Sequence, residues 1–125
     1  QELFARLLPS LLETAFQLGY EVRVGEVYRS PQEARRLAAL GKGIVNSNHC
    51  KKLAVDLFLS EDGAPAVDEH PKGVIAEYDR KVTWDLKDYE ALGERWEKEH
   101  ELCRWGGRFR NRDGVHFSLE HNGVA

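Results

Sequence analysis

The run Leu53-Ala54-Val55-Asp56-Leu57-Phe58-Leu59 constrains the fold more than any other stretch of this chain. Side chains alternate along a strand, so Leu53, Val55, Leu57 and Leu59 share one face and Ala54, Asp56 and Phe58 the other. A strand apolar on both faces is a central strand, covered on both sides, and the chain must build a sheet around it. The acid at its centre is the anomaly. An ionised carboxylate in such surroundings is costly unless it is paired or bound to a cation. The segment Val115-His116-Phe117-Ser118-Leu119 repeats the pattern. Val115, Phe117 and Leu119 face one way, and His116 and Ser118 face the other.

The remaining elements follow from periodicity and punctuation. Residues 3–18 carry leucines, Ala15 and Phe16 at helical spacing and stop at Gly19. Pro9 is expected either to start that helix or to kink it. Residues 21–28 read as a Val-rich strand with Gly25 as a candidate bulge. Ser30-Pro31-Gln32-Glu33 opens a second helix with cap, first-turn proline and capping box, running to Gly41. Residues 41–48 read as a loop, Glu61-Asp62-Gly63 as a hairpin turn, and 68–82 as polar and irregular. A third helix fits 86–100, capped by Thr83 or Asp85. With no repeats or linkers, 125 residues are expected to form a single domain, 1–125. Its class is α+β, with helices set against a small, mostly antiparallel sheet.

Two strands thus each present a metal-type ligand opposite their aliphatic stripe, Asp56 and His116. His49 lies in the loop leading into the strand of Asp56. Two histidines and a carboxylate, with a fourth position left to water, are a catalytic rather than a structural zinc set. Asp113, three residues before His116 in the turn Arg112-Asp113-Gly114, is placed to act as a base without ligating. Its plain alternative is an ordinary turn aspartate. Arg29 could hold a substrate carboxylate or a developing oxyanion, or simply pair with Glu33. His70, His100 and His121 are read as decoys. The locally basic run 104–112 is either a solvated loop or a rim for an anionic substrate. Trp105 within it is either a groove wall or a core residue.

These residues also carry a resemblance. Ser47-Asn48-His49-Cys50-Lys51-Lys52-Leu53-Ala54-Val55-Asp56 resembles the S-x-H-x-x-G-x-A-x-D motif of the D-Ala-D-Ala carboxypeptidase and L-alanyl-D-glutamate endopeptidase family of zinc peptidases. Asp113-Gly114-Val115-His116-Phe117 is similar to its second motif, and Tyr28-Arg29-Ser30 to its upstream arginine motif. The resemblance implies one zinc ion on His49, Asp56 and His116, with Asp113 as base. Arg29, Ser47 and Trp105 are the candidate contacts with substrate. It implies the small antiparallel sheet flanked by helices that is shared with the hedgehog signalling domain. It also implies a peptidoglycan peptidase, most similar to the phage endolysin branch, acting on stem peptides at the L-Ala–D-Glu bond. Lys52 departs from the motif glycine, and Asp113 stands where the carboxypeptidases usually carry Glu.

The alternatives are a D-Ala-D-Ala carboxypeptidase, a zinc-binding wall-adhesion module without catalysis, and a small metal-dependent nuclease. A net charge of −3 and a pI near 6.0 disfavour the nuclease and nucleic-acid partners in general. No apolar run approaches a membrane span, and the acidic amino-terminal stretch lacks the basic start of a secretory leader. The expectation is a monomer in the cytoplasm of the producing bacterial cell, reaching the wall after the membrane is breached. Cys50 and Cys103 are expected to be reduced thiols.

Overall fold

The computed structural model describes residues 1–61 and 82–125. The expectations for the turn at 61–63, most of the 68–82 stretch and His70 fall outside these residues. In chain order the elements are α1 (Glu2–Gln17), β1 (Tyr20–Val24), α2 (Pro31–Ala39), β2 (Ala54–Glu61), α3 (Leu86–Glu99), β3 (Cys103–Trp105) and β4 (His116–Leu119). Short 3-10 turns at Asn48–Lys51 and Gly106–Arg108 precede β2 and follow β3. The strands form one antiparallel sheet in the order β1-β2-β4-β3, with β2 and β4 at its centre. The class is the α+β arrangement expected.

One face of the sheet is the core. Val55, Leu57 and Leu59 of β2 and Phe117 and Leu119 of β4 are buried against Phe4, Leu11 and Ala15 of α1 and Tyr89, Leu92 and Trp96 of α3. Trp96 ties helix to sheet, its indole N–H donating to the carbonyls of Arg104 and Ser118, each at 3.1 Å. This is the aliphatic stripe read from the sequence. The other face of the two central strands is therefore free to carry chemistry.

Three elements show what the sequence leaves open or does not show, each for a physical reason. Helix α1 spans the 3–18 region as read and runs through Pro9, so the alternative of a start at the proline does not hold. The apolar stripe that buries Phe4 before the proline and Leu11 after it is continuous only if both halves are helical, and this outweighs the lost backbone bond. β1 ends at Val24 rather than Tyr28. Gly25 N–H still donates to Asp56 O at 2.7 Å, and Asp56 N–H to Glu26 O at 2.9 Å, so the chain leaves the ladder just beside Asp56. β3 is a strand that the sequence does not announce, because three residues are too few to show alternation. The cap of α2 forms as read, with Ser30 Oγ accepting from Glu33 N–H at 3.1 Å and Pro31 in the first turn, but the Glu33 carboxylate binds Arg36 instead of completing the capping box. For α3 the cap is Asp85, whose carboxylate accepts from Lys87 N–H at 3.1 Å.

Candidate metal centre

Strand register puts Asp56 directly opposite His116 in the antiparallel pair of β2 and β4. Directly opposed residues lie on the same face with Cβ atoms about 5 Å apart, so the two side chains must meet. His49 arrives from the 3-10 turn. Ser47 caps that turn, its Oγ accepting from His49 N–H at 3.2 Å. The turn closes at Lys52, which adopts the left-handed conformation with φ 55° and ψ 41°. That is why the related motif carries glycine here: a side chain in this conformation is strained. The Lys52 ammonium sits 5.7 Å from the Tyr28 ring centroid.

The three ligand-type atoms converge. Asp56 Oδ1 lies 3.4 Å from His49 Nε2 and 3.5 Å from His116 Nδ1, and one donor atom from each residue falls within 4.8 Å of the others. Metal–ligand bonds of about 2.0–2.1 Å at tetrahedral angles put neighbouring ligand atoms about 3.3–3.5 Å apart, and the two separations from Asp56 match that spacing. Both separations are long for hydrogen bonds, and Asp56 Oδ1 is buried without a hydrogen-bond partner. An orphaned carboxylate oxygen facing two imidazole nitrogens is the environment a cation completes. Both rings are also held from behind. His49 Nδ1 faces the Val27 carbonyl at 3.4 Å and Glu26 Oε1 at 3.5 Å, and His116 Nε2 faces the Ala125 carbonyl at 3.0 Å. Such outer partners fix the tautomer and aim the ligating nitrogen. Phe109 packs 5.4 Å from the His116 ring.

The electrostatics of the metal-free site are those of a charge-coupled cluster. Burial alone would raise the Asp56 carboxyl, but contact with His116 and then His49 outweighs it and lowers the group to about 2. Burial pushes the His116 imidazole down, yet Asp56 and the Ala125 carbonyl leave it raised. Asp113 is exposed as a residue, but its carboxyl is crowded by protein atoms. That desolvation raises it, His116 opposes the rise and Asp56 adds to it. A carboxylate above its ordinary range is a better proton acceptor.

An open cleft of about 750 Å³ brings together His49, Asp56 and His116 with Arg29, Ser47 and Asp113. Asp113 shares the space without belonging to the convergent triplet. Arg29 pairs with Glu26 at 2.6 Å rather than with Glu33, which binds Arg36 instead. Trp105 is not brought into this cleft. It is buried beneath α3, its indole N–H donating to Gly114 O at 2.8 Å, and only its edge reaches a neighbouring depression. His100 Nδ1 accepts from Leu102 N–H just past the end of α3, and His121 is exposed. Cys50 and Cys103 are both free thiols, and burial pushes Cys103 up to about 11.

Sequence reasoning missed Glu26, which contacts both Arg29 and His49, and Asn48, which is buried beside His49. Neither position carries a signal of its own. A third omission was visible: Asn122-Gly123 is a strong tight-turn dipeptide, and it folds the chain back so that Ala125 reaches the site.

Comparison with known proteins shows the family to which the chain belongs. Residues 41–119, well over half of the chain, match the family model of D-alanyl-D-alanine carboxypeptidase. The chain belongs to that peptidase family. The crystal structure of the Serratia marcescens L-Ala D-Glu endopeptidase ChiX has a similar fold, with a TM-score of 0.59 and 22% identity over 90% of this chain and 79% of that one. No curated protein sequence matches.

Proposed function

We propose that this chain is a zinc-dependent peptidoglycan peptidase that hydrolyses a stem-peptide amide bond, with L-Ala–D-Glu as the bond cut. The observation that carries the reading is the convergence of His49, Asp56 and His116 around one orphaned oxygen, inside the region that matches a peptidase family. His49, Asp56 and His116 would hold the zinc, which when bound supplies Lewis-acid activation of water and of the scissile carbonyl. Asp113 takes the proton of the attacking water and returns it to the leaving amine. Arg29, held by Glu26, offers charge-assisted hydrogen bonds to the developing oxyanion or to a substrate carboxylate. Ser47 acts on the site by capping the turn that presents His49. Trp105 contributes from the core rather than as a contact with substrate.

The choice of bond rests on the likeness to an L-Ala D-Glu endopeptidase and on Asp at position 113. The description of the matching family supports a second reading, D-Ala–D-Ala carboxypeptidase activity. Mass spectrometry of muropeptides separates the two. Digestion of purified peptidoglycan should leave L-Ala on the glycan and release peptides beginning with D-Glu, and chelation should abolish this. Release of free D-Ala with the rest of the stem intact would establish the carboxypeptidase reading. No chelator-sensitive product of either kind would refute both.

A further inference from the structure

The segment 119–125 is pinned to the ligand loop by one side chain. Asn48 is 1% exposed, and its amide nitrogen lies 2.7 Å from the Leu119 carbonyl, 2.8 Å from that of Val124 and 3.2 Å from that of Ala125. All three neighbours are acceptors only, so the amide orientation is fixed. Its backbone carbonyl accepts from Leu53 N–H at 3.0 Å, anchoring the start of β2 as well. The tail reaches Asn48 through a reverse turn. Asn122 and Gly123 have φ of 51° and 78°, and His121 and Val124 bond each other at 2.8 and 3.0 Å across it. Positive φ at both central residues is the type I′ hairpin geometry that Asn-Gly favours. The product of this folding is the Ala125 carbonyl, 3.0 Å from His116 Nε2.

From this we infer that Asn48 and the Asn122-Gly123 turn are positioning residues for the metal. They deliver the Ala125 main-chain oxygen to His116 Nε2, which holds the proton on that nitrogen and leaves Nδ1 for the ion. The inference rests on the zinc reading above. Asn48 borders the cleft but is 1% exposed, and its amide nitrogen is wholly engaged with the tail. It therefore acts through His116, not on substrate. A carboxylate or main-chain oxygen as the outer partner of a ligating histidine is a common way to fix its tautomer, and losing such a partner typically weakens metal binding by roughly 10- to 100-fold.

Two variants reach the same carbonyl from opposite sides. Asn48→Asp keeps the shape and removes the donors. Gly123→Val disfavours the positive φ at a position where an added Cβ meets nothing within 4 Å, so it perturbs the turn without a clash. Zinc affinity is read by chelator competition on the full chain, alongside the melting of the metal-free proteins and the imidazole ¹⁵N spectrum of the metal-loaded ones. Each variant should bind zinc roughly 10- to 100-fold more weakly. The double variant should be little worse than either alone, because both act through one contact. The His116 Nε2 signal should shift while His49 keeps its own. Asn48→Ser, which retains one donor, should recover part of the affinity. Wild-type affinity in both single variants, or losses that simply add, would overturn the inference while leaving the zinc reading intact. A general loss of folding in Asn48→Asp with wild-type zinc binding in Gly123→Val would also overturn it, since Asn48 would then be structural only. Failure of the wild type to bind zinc would overturn the proposed function and this inference together.

Discussion

Replacing Gly93 by Ala tests whether Trp105 is a wedge in the core or a mobile wall. Gly93 is buried in the middle of α3, and a Cβ built there would lie 2.2 Å from Trp105 Cδ2 and 2.5 Å from Cγ. The ring cannot retreat. A Cβ at Gly107 would lie 2.3 Å from its Cζ2, so backbone abuts the ring there, and its N–H is engaged with Gly114 O at 2.8 Å. Helix propensity alone favours Ala over Gly by about 1 kcal/mol. Against that stand about 1–3 kcal/mol for overpacking and another ~1–3 kcal/mol if the displaced indole leaves its N–H and the Gly114 carbonyl unpaired. The net expectation is a loss of about 1–5 kcal/mol, read by urea denaturation of the metal-free protein at unchanged m-value. The exposed neighbour substitution Glu94→Ala should stay within about 0.5 kcal/mol of wild type. Zinc affinity should fall in Gly93→Ala as well, because Trp105 fixes the segment that leads to Asp113 and His116. Stability equal to or above wild type would show that propensity governs the site and that Trp105 is free to move. The core assignment of Trp105 would then be wrong.

Two further substitutions bear on the turn and on the charge cluster. Lys52→Gly relieves a left-handed residue at about 1–2 kcal/mol, against roughly 0.5–1 kcal/mol of added chain entropy and at most about 1 kcal/mol from the exposed contact with Tyr28. The melting temperature should stay level or rise, and a loss above about 1 kcal/mol would contradict the strain argument. In the metal-free protein, Asp56 is depressed from 3.8 to about 2, so the unfolded chain binds more protons than the native one between those values. Stability from this group is present above pH 4 and drains away as pH falls through about 2, on the order of 2 kcal/mol in all. Asp56→Asn should flatten that part of the acid denaturation profile; an unchanged slope would mean that Asp56 is not held by the two histidines.

How much of this was legible in the sequence depended on how local each cause is. The cap of α2 is written in Ser30 and Pro31, and it forms as read, while Glu33 turns its carboxylate to Arg36. The alternation in β2 and β4 survives because one face is packed against helices, so Asp56 and His116 could be assigned to the other before their register was known. Pro9 left two readings open because its cost is local, whereas the stripe that decides between them spans all of α1. Trp105 was undecidable, since a tryptophan among arginines and glycines looks the same whether the glycines make room for a ring or simply bend a loop. Glu26 pairs locally with Arg29, but its contact with His49, like those of Asn48 with Leu119, Val124 and Ala125, joins residues far apart along the chain. No spacing rule reaches such contacts.

The central claim is a division of labour, in which His49, Asp56 and His116 hold the metal and Asp113 moves the proton. The measurement that tests it most directly is the zinc content of Asp113→Asn and His116→Ala, paired with their turnover on peptidoglycan. Asp113→Asn is nearly isosteric and should keep one zinc per chain while losing roughly 10²–10⁴-fold in rate. His116→Ala should lose zinc and activity together, and its stability should cease to respond to added metal. Loss of zinc from Asp113→Asn as complete as from His116→Ala would make Asp113 a ligand. Full activity in Asp113→Asn would make it an ordinary turn residue, and the proton-transfer role proposed for it would have to be abandoned.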